Sequence, residues 1–167
     1  MPCIVMSVMK SVLQIARNKG FTLAELMVVI GIFGIVMVLS VPAIGRFLQS
    51  WKLGGDTEEL ANLLRKARSA AVMKNIDAVL QFNTGNGEYF YFEDNDGDGS
   101  KDSDEYQSET ITFSAGIRFN GHTLPDTKVT FKPQGNAMES GTITVANVHG
   151  RTRTISLYGG TGNVSVN

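Results

Sequence analysis

Cysteine is nearly absent from this 167-residue chain: Cys3 is the only one. No disulfide framework can hold the fold together. Such a chain must rest on its core, on its sheet or on a bound metal. Acidic residues are missing from the first twenty positions, where Lys10, Arg17 and Lys19 stand alone. Charge of either sign is missing between residues 26 and 39. Catalytic signatures are missing as well. No glycine-rich phosphate loop follows a strand, and no nucleophile elbow occurs. The two histidines, His122 and His149, are far apart and have no acid–base partner at local spacing. This pattern argues against an enzyme. Without the first twenty residues, 12 basic and 16 acidic residues remain, four negative charges in excess. A mildly acidic surface gives no general reason to expect nucleic acid.

What the chain does have is an apolar run over residues 21–41 that contains one charge, Glu25. As a helix the run rises about 30 Å, enough to cross a bilayer. A carboxylate inside such a run costs up to roughly 3 kcal/mol and normally has a partner. No Lys or Arg lies within the run to pair with it. If the chain is cut after Gly20, Phe21 gains a free α-ammonium at the right depth to meet Glu25 of a neighbouring copy. The pattern reads as a self-assembly device exposed by proteolysis. The basic residues before the run orient it with residues after Val41 exported. A secretory signal peptide is the competing reading, but its cleavage site should follow the apolar run.

The segment Gly20-Phe21-Thr22-Leu23-Ala24-Glu25 resembles the class III signal of type IV pilins and type II secretion pseudopilins. The resemblance implies that a prepilin peptidase cuts after Gly20 and methylates Phe21. It implies that residues 1–20 are a leader, and that Pro42 stands where many pilins carry a helix-kinking proline. It also implies residence in the bacterial inner membrane with the rest of the chain in the periplasm, an inner-membrane assembly platform, and filament partners that are other pilins or pseudopilins.

Residues 21–53 read as one helix, bent but not ended at Pro42. Gly54-Gly55 suggests a break, with Asp56 or Thr57 capping a second, amphipathic helix over 54–75. Leu60, Leu63, Leu64, Ala67, Ala70 and Ala71 recur there at helical spacing, and Arg65, Lys66 and Arg68 fall on the solvent side. From Ile76 the period changes to two. Strands are expected at 76–82, 88–92, 110–113, 116–119, 129–131, 142–148, 154–158 and 164–166. The fold class is α+β: a long N-terminal helix, membrane-embedded in its first half, on an antiparallel sheet domain over 76–167. Phe131-x-Pro133-x-Gly135, Gly141-Thr142-Ile143-Thr144 and Arg151-x-Arg153-x-Ile155-x-Leu157-x-Gly159 resemble the GspH/FimT group of minor pilins and pseudopilins.

Residues 94–105 match the calcium-loop spacing D-x-D-x-D-G-x₅-E. Asp94, Asp96 and Asp98 supply side-chain oxygens, and Gly99 the sharp turn. Ser100 offers its carbonyl, Asp102 binds directly or through water, and Glu105 closes the site. All-oxygen ligands favour Ca²⁺, as a structural cofactor that orders the loop after export. Lys101 stands where an apolar residue is usual, and the flanks look like strands, so an EF-like loop between strands is expected. Seven acids from Glu93 to Glu105, with only Lys101 among them, would repel one another without a cation.

Three readings of function follow. The first is a minor pseudopilin or minor pilin of a type II secretion pseudopilus or type IV pilus, displayed at or near a filament tip. The second is a FimT-like DNA-binding minor pilin in DNA uptake. Arg151 and Arg153 alternate along a strand, share a face and could reach phosphates. The third is a calcium-binding envelope protein with a plain anchor.

Overall fold

The computed structural model describes residues 20–167, apart from the side chains of Leu39, Val41, Pro42 and Ala43. The chain divides into two compact units, Met1–Pro42 and Ala43–Asn167. Cys3, Lys10, Arg17 and Lys19, in the segment expected to be a leader, lie outside the described residues.

Helix α1 runs over Leu23–Lys74, 52 residues. Its assignment continues through Pro42, which does not end it. It also continues through Gly54-Gly55, where the sequence suggests a break. Two contacts explain why. Thr57 turns its hydroxyl back to the Leu53 carbonyl at 2.6 Å instead of capping a new helix. Asp56 accepts hydrogen bonds from the amide and hydroxyl of Ser114, at 2.8 and 2.9 Å. Both candidate caps are therefore used elsewhere, and burial of the flanking Leu53 and Leu60 outweighs the glycine cost of about 1 kcal/mol each. The helix ends at Asn75, which takes a left-handed conformation (φ 57°), while the Ile76 amide returns to the Ala71 carbonyl.

Two four-stranded antiparallel sheets follow, where one was expected. Strands β1 (Asp77–Asn83), β2 (Glu88–Asp94), β3 (Ile111–Thr112) and β5 (Lys128–Phe131) lie in the order β3-β2-β1-β5. Strands β4 (Ile117–His122), β6 (Gly141–Asn147), β7 (Thr152–Tyr158) and β8 (Asn163–Val166) lie in the order β4-β6-β7-β8. The register of β4 against β6 shifts between Phe119 and Gly121.

Leu60, Leu64, Ala67 and Ala71 of α1 are fully buried in one core with Leu80, Tyr89 and Phe131 of the first sheet and Ile143, Val145 and Ile155 of the second. The alanines let the backbone of the helix come close, and the leucines fill the space between. Aromatic rings join the sheets: Phe82 and Phe119 are 5.2 Å apart, Phe113 and Phe119 4.6 Å, and Tyr89 and Phe113 5.1 Å. Ala70 is only partly buried. Arg65 and Lys66 are exposed as expected, but Arg68 is not on a free wet face. Its guanidinium donates to the carbonyls of Gly135 and Thr161 at 2.7 and 2.9 Å, tying two turns to the helix. Those turns meet at Gly162, where an added Cβ would lie 2.1 Å from the Gly135 carbonyl oxygen.

A methyl group at Gly54 or Gly55 would meet nothing within 4 Å. Gly54→Ala and Gly55→Ala should each raise the unfolding free energy by about 0.5–1 kcal/mol in urea titration. A loss of stability would contradict a continuous helix at these positions.

Candidate assembly segment and metal loop

The N-terminal segment is built around Thr22. Its hydroxyl accepts from the Glu25 amide at 3.2 Å, and its carbonyl accepts from the Leu26 amide at 3.1 Å. Thr22 therefore caps α1, and Glu25 falls in the first turn, where the helix dipole favours a carboxylate. The sequence signal for this cap is the spacing Thr22-x-x-Glu25, a residue pair that the processing motif alone does not single out. Gly20, Phe21 and Glu25 are all exposed. The side chains of the apolar run from Leu26 to Val38 are exposed as well, including Phe33 and Ile35. Among the described residues no helix is long and apolar enough to cross a membrane. The continuously described part of the run stops at Val38, and its continuation falls partly outside the description.

The acidic loop leaves β2 at Asp94 and returns antiparallel to it. The amide of Glu93 donates to the Tyr106 carbonyl at 2.9 Å, and Phe92 and Gln107 form a bridge. The flanks are thus extended, without helices. Inside the loop, carboxylates organise backbone. Asp94 accepts from the amides of Gly97 and Gly99 at 2.7 and 2.9 Å. Asp96 accepts from the Asp98 amide at 3.2 Å, and Asp98 from the Ser100 amide at 2.6 Å. Gly97 and Gly99 have φ near +79° and +74°, as such tight turns require. Buried Glu105 accepts from the amides of Asn95 and Asp102 at 2.7 and 3.0 Å, and so clips the two ends together.

The structure brings Asp94, Asp96 and Asp98 together, one oxygen of each within 4.8 Å of the others. Asp102 and Glu105 do not join that group, and exposed Ser100 contributes its amide to Asp98. Loss of solvent raises the Asp94 carboxyl above its ordinary range, against the opposing effect of the Gly97 and Gly99 amides. Asp102 is raised too, by loss of solvent in the crowded loop and then by the charges of Asp96 and Asp98.

Compensation is larger than the sequence implies. Glu93 is paired with Lys74 of α1 at 2.7 Å. Lys128 of β5 donates to the Gly99 carbonyl at 3.2 Å. Repulsion among seven acids is therefore a weaker argument for a cation than the spacing alone made it. Both lysines come from elements distant in sequence, where local pattern cannot place them.

Arg153 is exposed on β7, and Arg151, also exposed, lies in the turn just before that strand and not within it. Arg151 reaches the Ser50 hydroxyl of α1 at 3.2 Å. The turn before it is built on buried Asn147, whose side-chain oxygen accepts from the amides of His149 and Arg151, each at 3.0 Å.

Comparison with known proteins adds to this geometry. The family model described as Type II transport protein GspH matches residues 56–161. The prokaryotic N-terminal methylation motif matches residues 15–41. No curated protein matches the chain. Among solved structures, the minor pseudopilin EpsH from the Type 2 Secretion System of Vibrio cholerae is similar, with a TM-score of 0.57 at 10% identity, over 70% of this chain and 96% of that one. The type IV minor pilin FimU of Pseudomonas aeruginosa is also similar, with a TM-score of 0.54 at 17% identity, over 72% of this chain and 92% of that one. Both likenesses concern the fold: a helix with antiparallel sheets. The family match covers more than half of the chain, and with the methylation motif before it, the protein belongs to the GspH family of type II transport proteins.

Proposed function

We propose that the protein is a structural subunit, not an enzyme: a minor pseudopilin or minor pilin that enters a filament through the first half of α1. The observation that carries the proposal is the single acid in an otherwise uncharged run, set five residues beyond the processing glycine. The precursor sits in the inner membrane with the second unit in the periplasm. A prepilin peptidase removes residues 1–20 and methylates Phe21. The new amine of one copy then pairs with Glu25 of a neighbouring pilin or pseudopilin. This sets the axial register, while exposed residues such as Ile30 and Phe33 exchange lipid for neighbouring helices. An assembly platform in the same membrane drives the transfer. The GspH match supports this reading and not the DNA-uptake variant.

We further propose that the 94–105 loop binds Ca²⁺ as a structural ion. The donor set fits a hard cation: three converging carboxylates come from Asp94, Asp96 and Asp98, while Ser100, Asp102 and Glu105 lie outside that group and would have to turn toward the ion to complete the shell. The ion would supply charge neutralisation and order, with no chemistry of its own.

Glu25→Ala should leave the protein membrane-bound but exclude it from filaments, read by shearing filaments and blotting. Normal incorporation would refute the pairing. Gly20→Gln should leave an uncut precursor on a gel; a mature-sized band would count against processing at that bond. For the loop, millimolar Ca²⁺ should raise the melting temperature by several degrees at neutral pH, and Asp94→Asn with Asp96→Asn should remove the effect. An unchanged melting temperature would end the metal proposal. Raised carboxyls bind protons more readily folded than unfolded. Their contribution is fully present below about pH 4 and is lost as pH rises through the raised values. Melting with a chelator should therefore show this loop favouring acid pH, and the gain from Ca²⁺ should shrink as pH falls.

A further inference from the structure

One cleft lies apart from both the assembly segment and the acidic loop. It is lined by Arg46, Phe47, Ser50 and Trp51 of α1 and by His149 and Arg151 of the turn before β7. No carboxylate lines it. Ser50 fixes one of the two cations: its hydroxyl, held by donation to the backbone carbonyl of Arg46 at 3.0 Å, accepts from the Arg151 guanidinium at 3.2 Å. Buried Asn147 fixes the turn that presents His149 and Arg151. Phe47 and Trp51 are 70% and 74% exposed, a large apolar area to leave in water.

The place of this cleft along the chain is informative. After Glu25 the next charged residue is Arg46, so residues 26–45 are uncharged. Twenty helical residues rise about 30 Å, the thickness of a hydrocarbon core. Arg46 is the first residue beyond that span. From Arg46 to Trp51 a helix rises about 8 Å, comparable to one headgroup layer of a bilayer. Aromatic rings and arginines are the side chains that suit this layer, and paired cations suit an anionic headgroup.

We propose that the cleft is a docking site for the phosphate of an anionic phospholipid in the leaflet on the exported side, held between Arg46 and Arg151 with Trp51 and Phe47 against the glycerol and upper chains. The proposal rests on the membrane anchoring argued above. A nucleic acid is the weaker occupant, because it would leave Phe47 and Trp51 facing water and would not use the neighbouring uncharged run. Lipid binding would hold the subunit at a defined height before it is drawn into a filament.

Trp51 is the only tryptophan, so its fluorescence reports on the cleft in the full chain. The protein is reconstituted into vesicles of phosphatidylcholine alone or with phosphatidylglycerol, each carrying a headgroup nitroxide quencher. Quenching should be several-fold stronger with phosphatidylglycerol. Arg46→Ser with Arg151→Ser should abolish that difference while the protein still floats with the vesicles and keeps its melting temperature. Arg46→Lys with Arg151→Lys should retain part of it. Equal quenching in both lipids, or an unchanged difference in the serine variant, would overturn the proposal and leave the anchoring intact. A Trp51 response to duplex DNA at low salt, without lipid dependence, would overturn it in favour of a nucleic-acid surface. Failure to float in either lipid would instead sink the anchoring itself.

Discussion

Burial of Leu60, Leu64, Ala67 and Ala71 is the contact from which the second unit takes its arrangement. Both sheets share a core with this stripe, and the rings of Phe82, Phe113 and Phe119 close the space between them. Because the stripe needs a continuous helix, the two glycines before it are carried along in helical form. Arg68, on the flank of the same helix, fastens the turns around Gly135 and Thr161. Asp56 does the same for Ser114. Polar residues of α1 thus hold loops, while its apolar residues hold strands.

The same helix changes character along its length. From Leu26 to Val38 its side chains are exposed and apolar, with no internal partner among the described residues. From Leu53 onward its apolar side chains are mostly inside the protein core. An apolar face without an internal partner must find lipid or another helix. That need links the chemistry of the Gly20–Glu25 region to the fold of the rest.

Much of this was readable from residues alone, for local reasons. The shift from helical spacing to alternation after Ile76 marks where α1 gives way to β1, and turn residues such as Asn83-Thr84-Gly85 mark the hairpins. All eight expected strands occur, with ends displaced by a few residues. What could not be read was long-range. Gly54-Gly55 looks like a break because glycine is a poor helix former, yet packing on either side overrides propensity. Division into two sheets depends on which strands pair, and alternation carries no such information. Lys74 pairs with Glu93, and Lys128 brings a second positive charge to the Gly99 carbonyl, so an acidic segment that looks uncompensated locally is compensated in part. The spacing of Asp94, Asp96 and Asp98 foresaw their convergence, but not that Glu105 would be turned onto the amides of Asn95 and Asp102.

The lengths of the outermost strands have a consequence for polymerisation. In the first sheet these are β3, with 2 residues, and β5, with 4. In the second they are β8, with 4 residues, and β4, whose pairing is interrupted at Gly121. Short or irregular edges offer few free amides and carbonyls in line, so one sheet cannot readily template another. For the helix-mediated assembly proposed above, this closes the competing route of cross-β aggregation.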